Sequence, residues 1–190
     1  MVFEIIKRFL NFIYNTGVFF SNYGTFYPKN LYIYGTFYPK NGGNLSMTSV
    51  KNHLNKIKEH IEELEDAIRT GIEKRASTIG FHVSSCSVDL LESYLHKTGR
   101  IPLGKIIKHE WFKRPKLGQK TLPIAERNLP FDFPKKKEIF EEMYAIEEIR
   151  NKLIYGKSSV SDIKTALSSF ERLKAIILNM LGQDGLNVVE

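Results

Sequence analysis

From residue 50 onward, apolar side chains recur at helical intervals. Val50, Leu54, Ile57, Ile61, Leu64 and Ile68 are spaced alternately by four and three residues, which lines one face of a helix. Thr48 or Ser49 can cap its start, and Gly71 can end or bend it. A second helix is predicted from about Ile72 to Lys97, with Ile79, Val83, Leu90, Leu91, Tyr94 and Leu95 on a broad apolar side and Thr98-Gly99 closing it. Between Arg100 and Pro134 the periodicity fades. Pro102, Pro115, Pro123, Pro130 and Pro134 interrupt this stretch, which predicts a short helix around Leu103–Phe112 and then a long surface loop. A third helix is predicted over Lys135–Tyr155, with Ile139, Met143, Ile146, Ile149 and Leu153 inward and Gly156 as its stop. A fourth covers Ser159–Leu181, apolar at Val160, Ile163, Leu167, Phe170, Leu173, Ile177, Met180 and Leu181, and Gly182 ends it. Ser159-x-x-Asp162 reads as its capping box. No alternating strand pattern follows Met47. The expected fold class is therefore all-α, an antiparallel bundle of four to five helices.

Residues 1–46 follow different rules. Met1–Tyr14 has an apolar face, with Glu4, Lys7, Arg8 and Asn11 opposite. A secretory signal is the competing reading, but Asn11 and Asn15 interrupt the apolar stretch and no small-x-small cleavage site follows. The uninterrupted apolar runs fall far short of the roughly 20 residues a membrane span requires. An interfacial helix is the remaining membrane reading. Tyr23-Gly24-Thr25-Phe26-Tyr27-Pro28-Lys29-Asn30 then recurs as Tyr34-Gly35-Thr36-Phe37-Tyr38-Pro39-Lys40-Asn41, at an offset of eleven residues. Elements packed in different surroundings rarely need identical side chains throughout. The repeat therefore reads as a recent duplication in a poorly structured or short aromatic-rich segment. The expected organisation is a 1–46 appendage outside the functional protein, which would begin near Met47, a helical bundle over 47–182, and a 183–190 tail.

Charge and composition narrow the function. The net charge is +7 and the isoelectric point about 9.3, which favours an anionic partner such as nucleic acid. The one cysteine, Cys86, excludes an intrachain disulfide, so nothing suggests an oxidising compartment and a cytoplasmic location is expected. Phosphate-loop, dinucleotide-binding and zinc-protease motifs are missing, and neither a cofactor nor a metal is expected.

Three constellations carry candidate chemistry. Arg150, Asn151 and Tyr155 place a cation, an amide and a phenol at the end of the third helix. Arg150 can grip a phosphate bidentately. The alternative is that Arg150 and Asn151 satisfy the helix's last carbonyls while Tyr155 packs into the turn. On the second helix, His82, Cys86, Asp89, Glu92 and His96 fall within about a third of the circumference. They could be zinc ligands, but a solvated polar stripe is the simpler reading, and His82 or His96 could also reach the Arg150 site across a dimer groove. The segment 97–120 sets eight basic residues against the single acid Glu110, with His109, Trp111 and Phe112 interleaved. Lys105, Lys108, Lys113, Arg114 and Lys116 with Trp111, joined by Lys152 and Lys157, make a candidate RNA-binding set. The alternative is an ordinary basic loop with its aromatics tucked into the bundle.

Glu147-x-x-Arg150-Asn151, a turn, and a last helix of Leu/Ile periodicity together resemble the HEPN superfamily (higher eukaryotes and prokaryotes nucleotide-binding) over roughly 47–182. The resemblance implies a four- or five-helix bundle and, in many members, a metal-independent ribonuclease. Such members are often toxins paired with a nucleotidyltransferase antitoxin, and their Arg-(four to six residues)-His motifs meet across a homodimer. Arg150 matches the motif Arg and Asn151 the polar residue after it. Tyr155 stands where the His is expected, and the longer spacings fall on Gly156 and Lys157. An imidazole titrates near pH 6.5, whereas a phenol near 10 is only about 0.1% ionised at pH 7. The resemblance thus implies RNA binding, with cleavage weakened or lost at Arg150, Asn151 and Tyr155. Some members also carry a tyrosine two residues after the His, which the antitoxin adenylylates; that place here is Lys157. The alternative is a non-catalytic bundle that binds a nucleotidyltransferase partner or a nucleotide.

Overall fold

The computed structural model describes residues 50–102, 104–115, 118 and 121–186; the predicted Met1–Tyr14 helix and the tandem repeat lie outside the described residues. Among the described residues every regular element is helical. The α-helices are α1 (Val50–Thr70), α2 (Ala76–Lys97), α3 (Ile124–Asn128), α4 (Lys136–Tyr155) and α5 (Val160–Leu186), with 3-10 turns at Ile72–Arg75 and His109–Phe112. Gly43–Asn187 forms one compact unit.

Local chemistry accounts for most boundaries. Gly71 adopts φ 115°, which a side chain rarely tolerates, so α1 stops there and the chain restarts through a 3-10 turn before α2. At the far end of α2, Gly99 takes φ 66°. Its N–H meets the His96 carbonyl at 3.1 Å while that of Arg100 meets the Leu95 carbonyl at 2.9 Å, a Schellman closure. The expected capping box of α5 is formed. The Asp162 N–H donates to Ser159 Oγ at 3.1 Å, and the Ser159 N–H donates to Asp162 Oδ2 at 2.9 Å.

The proline-rich middle differs from expectation. The helix predicted over Leu103–Phe112 is reduced to the four-residue turn His109–Phe112, because Pro102 and Gly104 at φ 95° leave the preceding stretch irregular. A helix appears instead in the predicted loop. Pro123, pre-set at φ −51°, immediately precedes the first residue of α3.

α2 is the central element, with α1, α4 and α5 all packed on it. Paired residues fix the directions. His53 meets Glu92 and His60 meets His82 between α1 and α2, Ser77 meets Leu153 between α2 and α4, and Glu142 meets Arg172 between α4 and α5. All three pairs are antiparallel, so the expected bundle is observed. Among the described α-helices, α1 touches α2 alone. Being covered on several sides, α2 is buried all round from Asp89 to His96. That corrects the solvated polar stripe expected there. Asp89, Glu92 and His96 lie inside the fold, and Cys86 is fully buried with Sγ 3.9 Å from the Ile57 carbonyl. An aromatic cluster fills another part of the core. Phe112 packs edge-on to Phe140 at 5.5 Å and lies 5.9 Å from Tyr144, and Phe133 joins them against Tyr94.

Candidate functional site

Arg150 and Asn151 occupy the last turns of α4, where that helix comes closest to α2. The closeness depends on Gly80, since a Cβ there would lie 2.6 Å from Leu153 Cβ. The carbonyls at the end of α4 are taken by other groups. The Gly156 N–H donates to Lys152 O at 3.1 Å, and the Ser77 hydroxyl reaches Leu153 O at 3.2 Å and Ile154 O at 3.4 Å. Gly156 itself is extended (φ −112°, ψ −172°) rather than left-handed. A Cβ there would crowd Lys152 O at 3.1 Å, so close approach accounts for the glycine.

Arg150 is therefore not spent on capping. Its Nη1 donates to Asn151 Oδ1 at 3.3 Å, its Nε is buried without a hydrogen-bond partner, and among the described residues no carboxylate pairs with it. Tyr155 does not pack into the turn, as its side chain is 79% exposed. Asn151 and Lys157 are exposed too, and Lys152 lies 3.6 Å from Asp162 across the turn to α5. The end of α4 thus offers a guanidinium, an amide, a phenol and two ammonium groups around one helix terminus.

One turn before Arg150, on the same face, Glu147 points inward with its side chain 3% exposed. Its Oε2 lies 3.0 Å from His109 Nδ1. Phe112, 1% exposed, anchors the 3-10 turn that carries His109. With Ser84, Ser87, Met143 and Ile146, these residues pack between α2 and α4 around a gap too small to hold a water molecule. An ionised Glu147 fixes the proton on Nδ1 and leaves Nε2 able to accept one, the arrangement of a general base with its orienting group. No spacing along the chain marks this pairing, because His109 lies 38 residues before Glu147 and only the seating of Phe112 brings it to α4.

The basic segment is partly committed to the fold. Arg114 donates to Glu141 at 2.6 Å, pairs with Glu148 at 2.8 Å and stacks over Tyr144 at 4.8 Å, and the Glu141 hydrogen bond followed by the nearby carboxylate charges raises its pKa. Lys105 donates to Asn128 O at 3.2 Å. Phe112 is core and Trp111 half-buried, while Lys108 and Lys113 are exposed. Lys116 lies outside the described residues.

Within the chain, the histidines of the second helix lie apart from the end of α4 that carries Arg150. They face α1 and meet His53 and His60. His53 Nδ1 lies 2.9 Å from Asp89 Oδ1 and 3.3 Å from Glu92 Oε2, His60 Nε2 lies 3.6 Å from Asp89 Oδ2, and the Nδ1 atoms of His60 and His82 are 2.9 Å apart. His96 stacks on His53 at 5.4 Å. Glu92 Oε1 accepts the Ile107 N–H. Burial alone would raise the Asp89 carboxyl, but hydrogen bonds from His53 and His60 overcome it and hold it low. Burial raises Glu92 and lowers both His82 and His96. His53 and His60 went unremarked in the sequence because they flank the apolar stripe of α1.

No known family model, curated protein or solved structure matches the chain.

Proposed function

We propose that this is a HEPN-like RNA-binding protein that acts as a cytoplasmic homodimer, gripping an RNA phosphate with Arg150 and Asn151. The observation that carries the reading is the Arg150 guanidinium at the end of α4, which bonds Asn151 beside it and pairs with no carboxylate among the described residues, with Lys157 exposed nearby. Lys108 and Lys113 extend the basic surface. Strand cleavage, where it occurs, is metal-independent and uses His109 in place of the motif imidazole that Tyr155 replaces. His109 takes the proton of a 2′-hydroxyl as its oxygen attacks the adjacent phosphorus, and a proton is returned to the leaving 5′-oxygen. Arg150 offsets the charge that builds on the phosphoryl oxygens. Glu147 holds the imidazole in position.

The test is binding and cleavage of generic single-stranded RNA in chelator. A charge-assisted contact contributes about 1.5–3 kcal/mol, so Arg150→Ala should weaken binding by about 10- to 100-fold and flatten its salt dependence by the loss of about one phosphate contact. His109→Ala should abolish cleavage and leave affinity largely intact. Unchanged affinity in Arg150→Ala refutes the reading. It would leave the non-catalytic alternative, a bundle that docks a nucleotidyltransferase or binds a nucleotide. Sedimentation of the wild type tests the homodimer.

A further inference from the structure

We propose that His53, Asp89 and Glu92 form a binding site for one divalent transition-metal cation, zinc foremost, which clamps α1 to α2. One donor atom from each of the three residues lies within 4.8 Å of the others, and the residues are 3%, 7% and 3% exposed. This is not an acidic patch in water. Two carboxylates one turn apart on α2 converge on one imidazole nitrogen of α1, at 2.9 and 3.3 Å. Tetrahedral zinc, with ligand bonds of about 2.0–2.2 Å, sets its donors about 3.3–3.5 Å apart. The His53–Glu92 separation already matches that edge, and the His53–Asp89 separation of 2.9 Å falls a little short of it.

Charge points the same way. Two carboxylates together carry a charge of about −2 when ionised, which one divalent cation balances. The donors are also held from behind. Glu92 Oε1 accepts the Ile107 N–H, which leaves Oε2 turned toward His53. Asp89 Oδ2 faces His60 Nε2 at 3.6 Å, and His60 is in turn bonded to His82 through Nδ1. Such outer contacts orient metal ligands. A set of imidazole and carboxylate donors without thiolate suits zinc, manganese or ferrous iron better than calcium or magnesium. Cys86 is excluded as a ligand because its Sγ faces the Ile57 carbonyl. The clamp falls where the fold benefits from it, since α1 has no other α-helix to hold it among the described residues.

The site is tested on the full chain, stripped with chelator and titrated with zinc against a chromogenic competitor, with cobalt(II) as a spectroscopic substitute. The expected result is one ion per chain, cobalt bands of a tetrahedral nitrogen–oxygen site without thiolate charge transfer, and a higher melting temperature with zinc. Glu92→Gln and Asp89→Asn, both near-isosteric, should each weaken binding at least ten-fold, whereas Cys86→Ser and His109→Ala should not. Binding no tighter than millimolar in the wild type overturns the proposal, as does affinity unchanged in both carboxamide variants. RNA affinity is not part of the readout, so the result stands apart from the Arg150 reading.

Discussion

Gly80→Ala is a sensitive test of how α2 and α4 meet. In an open helix this substitution stabilises by about 1 kcal/mol, because alanine restricts the unfolded chain and favours the helix. Here a Cβ would lie 2.6 Å from Leu153 Cβ, 3.3 Å from Ile154 Cγ1 and 3.4 Å from Leu153 Cδ1. Carbon atoms settle at about 3.5–4.0 Å, so the two helices must part by about 1 Å. Leu153 Cβ is fixed to its backbone, and no rotamer change relieves the first contact. Overpacking costs about 1–3 kcal/mol, and the rigid contact places this case near the top of that range. After the propensity gain, the net loss should be about 2 kcal/mol. In urea, followed by far-UV circular dichroism, the midpoint should fall by about 1 M with an unchanged slope, and the melting temperature by about 4–8 °C. In a Leu153→Gly background, which deletes the opposing Cβ, the same change should become neutral or favourable. A midpoint raised by Gly80→Ala in the wild type would refute the close contact and, with it, the seating of the Arg150 end against α2.

Three further outcomes follow from the same structure. Ser159→Ala removes the N-cap of α5 and should cost about 1 kcal/mol in urea unfolding. The Ser159 hydroxyl, then its backbone N–H, lower the Asp162 pKa, so the Asp162 contribution is complete above the ordinary carboxylate value near 4 and is lost as pH falls through the lowered folded value. An Asp162→Asn variant should therefore differ from wild type at neutral pH and converge with it in acid, as read by melting temperature against pH. Phe112→Ala empties a fully buried site against Phe140 and Tyr144 and should cost about 3–5 kcal/mol by equilibrium unfolding. Phe112→Leu should recover much of that loss, and the mobility of the His109 imidazole by NMR should track the series.

The four long helices were legible because each buries an apolar face, and spacings of three and four report that face directly. Ile79, Val83, Leu90 and Leu91 on α2, and Ile139, Met143, Ile146 and Leu153 on α4, are all buried as their periodicity predicts. The pattern misplaced the polar seam. On α1 the buried line runs through His53, Ile57, Leu64 and Ala67 rather than ending on Ile68, which is 37% exposed. A histidine sits comfortably there only because Asp89 and Glu92 stand opposite, and cross-helix partnership leaves no trace in the spacing of one helix. The same limit hid His109. A turn of four residues has no period to read, and its position depends on the ring of Phe112 finding the core.

Cys86 gives this arrangement a clock. It is the one thiol in the chain, fully buried midway along the α1–α2 contact, and burial pushes its ionisation far upward. A thiol reagent meets a reactive thiolate only in molecules whose α1 has lifted. Where closing outpaces labelling, the modification rate divided by that of an exposed thiol is the fraction of time the helix spends detached. Because α1 leans on α2 alone among the described α-helices, that fraction reports the release of one helix while the other long helices stay packed on one another.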